Sequence, residues 1–516
     1  MPAKNYILAI DQGTTRSTAV LLDREGQVVS IAHQDICRIY PNPGWVEQEP
    51  QEIFQKSLAV AHETLRKAGV TISQVAAVGI TNQRETTVIW DRYTGEPVCN
   101  AIVWQCRRTS QLCDELSQKG MLESIKEKTG LVIDPYFSAT KIRWILDHIP
   151  QGQYRAEQGD LLFGTIDSWL VWKLTNGALH ITDYSNASRT MLFNINSLQW
   201  DKELLAALNI PEIVLPIVMP SSCIYGEVEP GLLGNTAVPL GAIIGDQQSA
   251  LFGQACYQPG MVKNTYGTGS FMLLNTGDRA NKSVKGLVTT IAWELTSKVT
   301  YAMEGSIFVT GAAIQWLKDG LGLIDEITDS EALACSVSDS GEVYFIPAFS
   351  GLGAPYWDTH VRGTILGITQ STTKAHLARA ILEAIAYQTH DVMEVMKNEA
   401  NVRMPLLRVD GGVTENAFLM QFQADILGVP IQVASVSETT ALGAAYLAGL
   451  AVGYWRNTTE IEQCWHSEKV YEPTMSVDRR ETMYYGWKRA IERTRSCYYN
   501  EKSSGNSNHN TMDSGG

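Results

Sequence analysis

Asp246 is the residue of this sequence best suited to remove a proton from a substrate. It follows an apolar run, residues 242–245, whose pattern predicts a buried strand. Open α/β sheets carry their reacting groups at the carboxyl ends of the strands, so this position indicates a general base. The alternative is that Asp246 only caps the helix predicted after it.

A polar turn further along the chain, residues 265–269, adds a second chemical function. It contains Gly267 and Gly269, with Thr268 between them. Glycine lets a backbone approach phosphate oxygens closely, and hydroxyl groups can bind those oxygens. A plain β-hairpin turn is the alternative interpretation. A carboxylate and a phosphate-binding turn together predict phosphoryl transfer.

The beginning of the chain carries the same pattern. Residues 6–11 predict a strand that ends at Asp11, and the turn QGTT leads into a second strand at residues 18–22. A carboxylate beside hydroxyl and amide donors is suited to the Mg²⁺ and phosphates of a nucleotide, although an ordinary hairpin turn has the same composition. Residues 262–277 repeat the order of strand, Gly-Thr turn and strand. This predicts a duplicated fold with a nucleotide in the cleft between two halves.

The elements that must hold these groups alternate between strands and helices, which indicates the α/β class. Residues 75–80 predict a buried parallel strand, and residues 47–69 predict an amphipathic helix with Pro50 in its first turn and Gly69 as its end. In the second half we expect a strand at 406–409, followed by a Gly-Gly turn, and helices at 304–316, 374–397, 417–427 and 440–455.

The loop after the strand at 75–80 places Arg84 next to Glu85. A surface ion pair is one interpretation, and it would stabilise the fold by only about 0 to 1 kcal/mol. A polyol clamp is the other, because a carboxylate and a guanidinium together accept from and donate to neighbouring hydroxyl groups. Trp104 and Tyr136 are likewise either core residues or the apolar wall of a small-ligand pocket.

Composition narrows the range of partners. The 516 residues carry a formal net charge of -14, which argues against nucleic acid or an anionic membrane as the main partner. The nine cysteines form no C-x-x-C pair, and no apolar stretch fits a signal peptide or a membrane span. We therefore expect reduced thiols, no export and a cytoplasmic location. We also expect the polar residues 501–516 to be disordered.

Many runs of the sequence, from about residue 6 to residue 495, resemble the FGGY carbohydrate kinases. They are DQGTT, GITNQRETT, AIVWQCRRT, GLVIDPYFSATK, DYSNASRTMLFNI, GDQQSALFGQ, NTYGTGSFML, PAFSGLGAPYWD, LRVDGG and TALGAAYLAGLAVG. The resemblance implies an actin-like, ribonuclease-H-like ATPase fold with two α/β lobes around a central cleft. It implies that residues 1–252 form an N-terminal lobe with the polyol site and first phosphate loop, and residues 253–500 a nucleotide-binding C-terminal lobe.

The resemblance also implies roles for single residues. Asp246 matches the catalytic base, and Asp11 matches the acid that faces Mg²⁺. The implied glycerol contacts are Arg84, Glu85, Tyr136, Asp246 and Gln247, with Trp104 and Phe271 as the apolar wall. The implied nucleotide contacts are Thr14, Thr15, Arg16, Gly267, Thr268, Gly311, Gln315, Gly412 and Asn416.

One position departs from the family pattern. The family usually has an arginine near the place occupied here by Thr18, whereas this chain has Arg16 two residues earlier. Residues 16 and 18 point to the same face of an extended strand, so we expect Arg16 to supply the positive charge.

The reaction implied by the resemblance is transfer of the γ-phosphoryl group of ATP to glycerol, with Mg²⁺ as cofactor. It gives sn-glycerol 3-phosphate and ADP and belongs to glycerol uptake and catabolism. A homo-oligomer, either a dimer or a tetramer, is expected. Two alternatives stay open: a kinase for another polyol or ketose such as xylulose, and an actin-like or chaperone-like ATPase. A pocket crowded by Trp104, Tyr136 and Phe271 favours three carbons over five, and the ATPase would leave Arg84 and Glu85 without a role.

Overall fold

Two large sheets organise the chain. The computed structural model describes residues 4–358 and 360–504, with side chains up to residue 497. The first sheet has six strands in the spatial order Ser222–Val228, Val238–Gly245, Val75–Asn82, Tyr6–Gln12, Arg16–Leu22 and Val28–Asp35. The second has seven, in the order Val288–Leu295, Lys298–Ile307, Ser270–Gly277, Val262–Tyr266, Leu407–Asp410, Ile431–Ala434 and Ser467–Tyr471.

The two sheets share one plan. In the first, Tyr6–Gln12 pairs antiparallel with Arg16–Leu22 and parallel with Val75–Asn82. In the second, Val262–Tyr266 pairs antiparallel with Ser270–Gly277 and parallel with Leu407–Asp410. Each sheet is therefore a hairpin extended by parallel strands, which confirms the predicted duplicated fold.

Helices cover the central strands on both faces, so these strands are almost wholly buried. Every residue of Val75–Asn82 is buried, as expected for a parallel strand with helices on either side. The helices are Pro50–Ala68, Ser110–Gln118, Leu122–Thr129, Ser138–His148, Gly152–Glu157, Ile166–Leu174, Tyr184–Ala187, Lys202–Ala207, Asp246–Gly253, Gly311–Asp319, Asp329–Cys335, Lys374–Ala400, Ala417–Leu427, Thr439–Ala451, Thr458–Glu462 and Val477–Ser504. Three 3₁₀ turns lie at Ile72–Gln74, Glu212–Val214 and Gly412–Glu415.

Short strands complete the described residues. They are Glu47–Gln48, Val88–Asp91, Ala101–Ile102, Leu161–Gly164, Ile181–Asp183, Phe193–Asn194, Gln199–Trp200, Ile217–Met219, Tyr344–Ile346 and Thr364–Leu366. Within the described part of the chain, every helix is too short or too polar to span a lipid bilayer.

The helices Asp246–Gly253 and Thr439–Ala451 pack together between the two sheets. A Cβ atom at Gly443 would lie 1.9 Å from the carbonyl oxygen of Ser249, and one at Gly253 would lie 2.0 Å from that of Thr439. The backbones therefore touch, and only glycine permits this approach. One apolar cluster joins both lobes here, with Ile244 from the first sheet and Leu273 from the second among its members. The helix that begins with Asp246 is thus held firmly at the lobe junction.

Two predicted helix starts are wrong, and the helix predicted at 440–455 ends at Ala451. Residues Glu47–Gln48 form a short strand, and the helix begins at Pro50. Residues 304–307 belong to the strand Lys298–Ile307, and the helix begins only at Gly311. Pairing of that strand with neighbours on both sides overrides the helical pattern of its last residues.

The predicted disordered tail begins too early. The last helix continues to Ser504, because residues 487–504 contain no glycine or proline to end it. Residues 505–516, for which disorder was also predicted, lie outside the described residues. The predicted lobe boundary at residue 252 falls near the end of the helix Asp246–Gly253, between the two sheets, and it stays a prediction.

Candidate active site

Asp246 lies where the strand Val238–Gly245 meets the next helix. It is the first helical residue, and Gly245 holds the N-cap position. Its Oδ1 atom lies 3.0 Å from Nε of Arg84 and accepts the backbone N–H of Gln247 at 2.6 Å. Burial raises the pKa of Asp246, and the Arg84 guanidinium opposes this rise. These donors orient the carboxylate. The Asp246 side chain is 25% exposed, so a small molecule can still reach it.

Arg84 and Glu85 are buried, and each pairs with a residue far away in the chain. Arg84 donates from Nη1 to Oε2 of Glu304 at 2.5 Å and from Nη2 to Oε1 at 3.2 Å. Glu85 accepts from Nε of Arg189 at 2.6 Å, and Arg189 also donates to Glu304 at 3.1 Å. The two residues are only 2% and 1% exposed, so the surface ion pair is excluded. A preorganised set of donors and acceptors remains, as a polyol clamp needs.

Glu304 is the charge centre of this cluster. Burial alone would raise the pKa of the Glu304 carboxyl, but Arg189 and Arg84 outweigh burial and lower the pKa to about 2. The carboxylate therefore stays ionised and holds both guanidinium groups. Because Glu304 belongs to the second sheet and both arginines to the first half, the clamp is assembled from both lobes.

Three aromatic rings form one wall beside the clamp. The ring of Trp104 makes edge contacts with Tyr136, at 5.4 Å between centroids, and with Phe271, at 6.2 Å. Nη2 of Arg84 lies 3.5 Å from the Tyr136 hydroxyl oxygen, which connects the wall to the charged cluster. All three rings are partly exposed. A small carbon chain can therefore lie against them while its hydroxyl groups reach the clamp.

The first Gly-Thr turn is anchored by side chains that keep its shape. Nε1 of Trp104 donates to the Thr14 hydroxyl at 2.8 Å, and Nε2 of Gln48 donates to the Thr14 carbonyl at 2.7 Å. Nε2 of Gln83 donates in turn to Gln48 at 2.8 Å. Thr15 is exposed. The turn is fixed on its inner side and presents its outer side to a ligand.

Asp11 faces the same space as Asp246. Burial raises the pKa of Asp11 to about 7, with Asp246 adding to the rise and Arg16 opposing it. Arg16 is exposed and lies at the beginning of the strand Arg16–Leu22, whereas Thr18 is buried. Arg16 therefore supplies positive charge near Asp11 and the first turn.

The second Gly-Thr turn lines a cavity of about 950 Å³. The N–H of Gly311 donates to the carbonyl of Gly267 at 3.0 Å, and a Cβ at Gly311 would lie 2.6 Å from that oxygen. The turn thus packs directly against the start of the helix Gly311–Asp319. The residues predicted to bind the nucleotide from the second half all line this cavity: Gly267, Thr268, Gly311, Gln315, Gly412 and Asn416. Its size suits a nucleoside group.

Sequence reasoning missed three charged residues of the site: Lys263, Glu304 and Arg189. All three are at most 1% exposed. Lys263 lies in the strand Val262–Tyr266 and Glu304 in the strand Lys298–Ile307, whereas Arg189 lies in a run of small and apolar residues. A charged residue inside a segment that predicts a strand is the signal that could have found Lys263, because charged residues are rarely buried without a partner. Glu304 gave no such signal, because residues 304–316 predict a helix.

A divalent cation fits the carboxylates of this cleft. No group of three or more His, Cys, Asp or Glu side chains that could hold a metal occurs among residues 4–358 and 360–504. Mg²⁺ does not require one, because it usually binds to one or two carboxylates together with substrate phosphates. Burial is the largest cause of the raised pKa of Asp11, and the charge of Asp246 is the second, so a cation beside these two carboxylates would favour their ionised forms.

Comparison with known proteins agrees with this geometry. Residues 6–253 match the N-terminal domain model of the FGGY family of carbohydrate kinases, and residues 262–452 match its C-terminal domain model. The chain belongs to the FGGY family of carbohydrate kinases. It is 57% identical to Glycerol kinase 2 of Thermotoga maritima over 95% of this chain and 98% of that protein. It is 58% identical to a glycerol kinase of Symbiobacterium thermophilum over 95% and 99% of the two chains.

A solved relative extends the comparison to three dimensions. The structure of Plasmodium falciparum glycerol kinase with ADP matches this chain with a TM-score of 0.90 and 37% identity, and it covers 96% of this chain and 99% of the other. The two-lobed FGGY fold, with its actin-like ATPase architecture, is therefore confirmed over almost the whole chain.

Proposed function

We propose that this kinase transfers the γ-phosphoryl group of ATP to glycerol, giving sn-glycerol 3-phosphate and ADP. The observation that carries the proposal is Asp246 itself, which contacts Arg84 of the polar clamp at 3.0 Å and lies close enough to Asp11, just before the first Gly-Thr turn, to raise its pKa. The names of the relatives at 57% and 58% identity support glycerol as the acceptor. The ADP in the Plasmodium falciparum structure supports an adenine nucleotide as the donor.

Asp246 acts as the general base in this proposal. Its carboxylate accepts the proton of a terminal hydroxyl as that oxygen attacks the γ-phosphorus in line. Arg84 holds Oδ1 of Asp246 at 3.0 Å, so the base is oriented before the substrate arrives. Most of the acceleration then comes from positioning, because the transition state of phosphoryl transfer needs little covalent help.

The clamp and the wall select the acceptor. Arg84 and Glu85 offer fixed donors and acceptors to neighbouring hydroxyl groups, while Trp104, Tyr136 and Phe271 cover the carbon chain. Such a site rejects analogues that lack a hydroxyl group, because its buried polar atoms would remain unpaired. The crowded wall favours glycerol over a five-carbon ketose such as xylulose.

Residues of both halves bind the nucleotide. Thr14, Thr15 and Arg16 on one side and Gly267 with Thr268 on the other contact the phosphates in this proposal. Gly311, Gln315, Gly412 and Asn416 surround the nucleoside in the cavity of about 950 Å³. Asp11 would hold Mg²⁺, and Mg²⁺ supplies neutralisation of the phosphate charge when it is bound. Closure of the lobes would exclude water that competes for the phosphoryl group.

Measurement of ADP release with a panel of polyols and sugars, together with mass analysis of the product, tests the proposal. We expect release that depends on glycerol and a product of the mass of glycerol phosphate. Release that depends on xylulose instead would establish the other kinase, and release that ignores every acceptor would favour an actin-like ATPase. Glycerol uptake and catabolism is the proposed context. Light scattering of the purified protein tests the expected dimer or tetramer.

A further inference from the structure

Lys263 is a buried lysine that no step of the proposed reaction uses. It lies in the strand Val262–Tyr266 and is 0% exposed. Its ammonium group donates to Oε1 of Gln247 at 2.5 Å and to the Thr265 hydroxyl at 2.8 Å. Thr265 pairs with Phe271 across the hairpin, and paired residues point to the same face of a sheet. Lys263 shares this face, since it is two residues from Thr265, and therefore points to the side that carries the aromatic wall.

The position of Lys263 is unfavourable for a charge. Among the described residues, Lys263 forms no ion pair within 4.0 Å, and the two oxygens that accept its hydrogen bonds are neutral. Burial lowers the pKa of Lys263 to about 8, against the opposing effects of Asp410 and Asp246. An ammonium group is costly to bury without a carboxylate in direct contact. The site that Lys263 faces should therefore explain why a lysine is buried at this position.

The contact with Gln247 determines which way the amide points. An ammonium group can only donate, so the Gln247 atom that faces Lys263 must be the oxygen. The amide nitrogen, Nε2, is then at the other end of the group. It makes no hydrogen bond to any residue that the structure describes, and Gln247 keeps 8% exposure. Nε2 thus offers two N–H donors to a ligand beside Asp246.

We propose that Lys263 is a positioning residue that fixes Gln247 as a hydrogen-bond donor to the polyol. The proposal rests on the proposed function. Asp246 accepts the proton of the attacking hydroxyl, and the adjacent Gln247 donates from Nε2 to a hydroxyl oxygen of the same substrate. Without Lys263 the amide can rotate and present its oxygen, which competes as an acceptor. A hydroxyl group would then lose a donor that its oxygen needs.

A double-mutant cycle with Lys263→Met and Gln247→Leu tests this coupling. Each single change removes the charge-assisted hydrogen bond between Lys263 and Gln247. We therefore expect each to raise the KM for glycerol by roughly 10-fold to 100-fold. If Lys263 acts through Gln247, the double variant has the same KM as Gln247→Leu alone. The KM for ATP stays within about twofold in all three. The proposal is overturned if the increases in the KM for glycerol multiply in the double variant, or if Lys263→Met raises the KM for ATP instead of that for glycerol.

Two further variants keep the proposal testable if Lys263→Met fails to fold. Lys263→Arg keeps a donor to Gln247, and we expect it to recover most of the glycerol affinity that Lys263→Met loses. Gln247→Glu keeps an acceptor for the ammonium group but has no N–H, so it should weaken glycerol binding as much as Gln247→Leu. A wild-type KM for Gln247→Glu would refute the role of Nε2 even if Lys263→Met failed to fold. If the wild-type enzyme released ADP at the same rate with and without glycerol, the proposed function itself would be refuted, and the cycle could not be measured.

Discussion

Replacement of Asp246 by asparagine separates chemistry from binding. Asparagine keeps the shape of the side chain and an oxygen that can accept from Nε of Arg84, now 3.0 Å from Oδ1, but it cannot take up a proton. Loss of a positioned base lowers turnover by about 10²-fold to 10⁴-fold, which is a rise of roughly 2.7 to 5.4 kcal/mol in the barrier. We expect kcat to fall by this amount. The KM for glycerol should change by less than about tenfold, because the clamp and the wall remain.

A coupled assay of ADP release, run over a range of glycerol and ATP concentrations, gives kcat and both KM values. Asp201→Asn is a matched control, because Asp201 is also partly buried at a helix start and paired with a cation, Lys128, but lies outside the site. Asparagine is as good an N-cap as aspartate, so the control should keep wild-type kcat. If Asp246→Asn kept kcat within tenfold of wild type, or changed only the KM for glycerol, Asp246 would not be the base.

Three further changes test the clamp, the wall and the nucleotide cavity. Glu304→Gln removes one of the two carboxylates that each of the buried guanidinium groups of Arg84 and Arg189 contacts, and we expect a loss of roughly 3 to 5 kcal/mol in the free energy of unfolding at neutral pH. Because the pKa of Glu304 is lowered from 4.5 to about 2, its stabilisation is full above pH 4.5 and disappears as the pH falls toward 2. The gap between the thermal midpoints of wild type and variant should therefore narrow over that range, and a constant gap would contradict the ion pairing. Trp104→Ala should raise the KM for glycerol by about 10-fold to 200-fold and raise the KM for a five-carbon acceptor less. Trp104→Phe keeps an aromatic ring and should lose only the hydrogen bond to Thr14. Equal increases in KM for both acceptors would exclude Trp104 from the wall. Gly311→Ala places a Cβ 2.6 Å from the Gly267 carbonyl oxygen, so the second Gly-Thr turn must shift. Calorimetry should then show a roughly tenfold or greater loss of ADP affinity, while the KM for glycerol stays unchanged. Normal ADP binding would count against this cavity as the nucleotide site.

Local sequence patterns were sufficient for the parts of the fold that are apolar and regular. The run before Asp246 predicts its strand, and the structure ends that strand at Gly245. The repeat of strand, Gly-Thr turn and strand predicts the duplication, because both hairpins obey the same local rules. The predicted helix at 417–427 has the bounds Ala417–Leu427. These elements are decided by residues close to each other in the chain.

The charged partners of the site could not be predicted in this way. Arg84 was paired in sequence with Glu85, whereas in space it pairs with Glu304, more than two hundred residues later. Glu304 itself was assigned to a helix, because the strand that contains it is recognised only through its two neighbours in the sheet. Contacts across the lobe junction depend on how the two halves pack, and no local pattern contains that information.

Charge balance explains why these partners belong together. The buried cluster contains three carboxylates and three cations: Glu85, Asp246 and Glu304 with Arg84, Arg189 and Lys263. Apolar residues of similar volume would often make such a core at least as stable, so stability alone does not account for so many buried charges. A polyol with adjacent hydroxyl groups needs fixed donors and acceptors, and a cluster whose charges balance can keep these groups ionised away from water, although Lys263 forms no direct ion pair among the described residues.

The same cluster ties the acceptor site to the arrangement of the lobes. Glu304 and Lys263 come from the second sheet, while Arg84 and Arg189 come from the first half of the chain. Separation of the lobes at this point would break the bond of 2.5 Å between Arg84 and Glu304 and leave Glu304 without either arginine. In our proposal, opening and closing therefore pivot near this cluster and widen the cleft on the nucleotide side. The proposed polyol site then needs both halves of the chain, because the first half would retain Asp246 and Arg84 but lack Glu304.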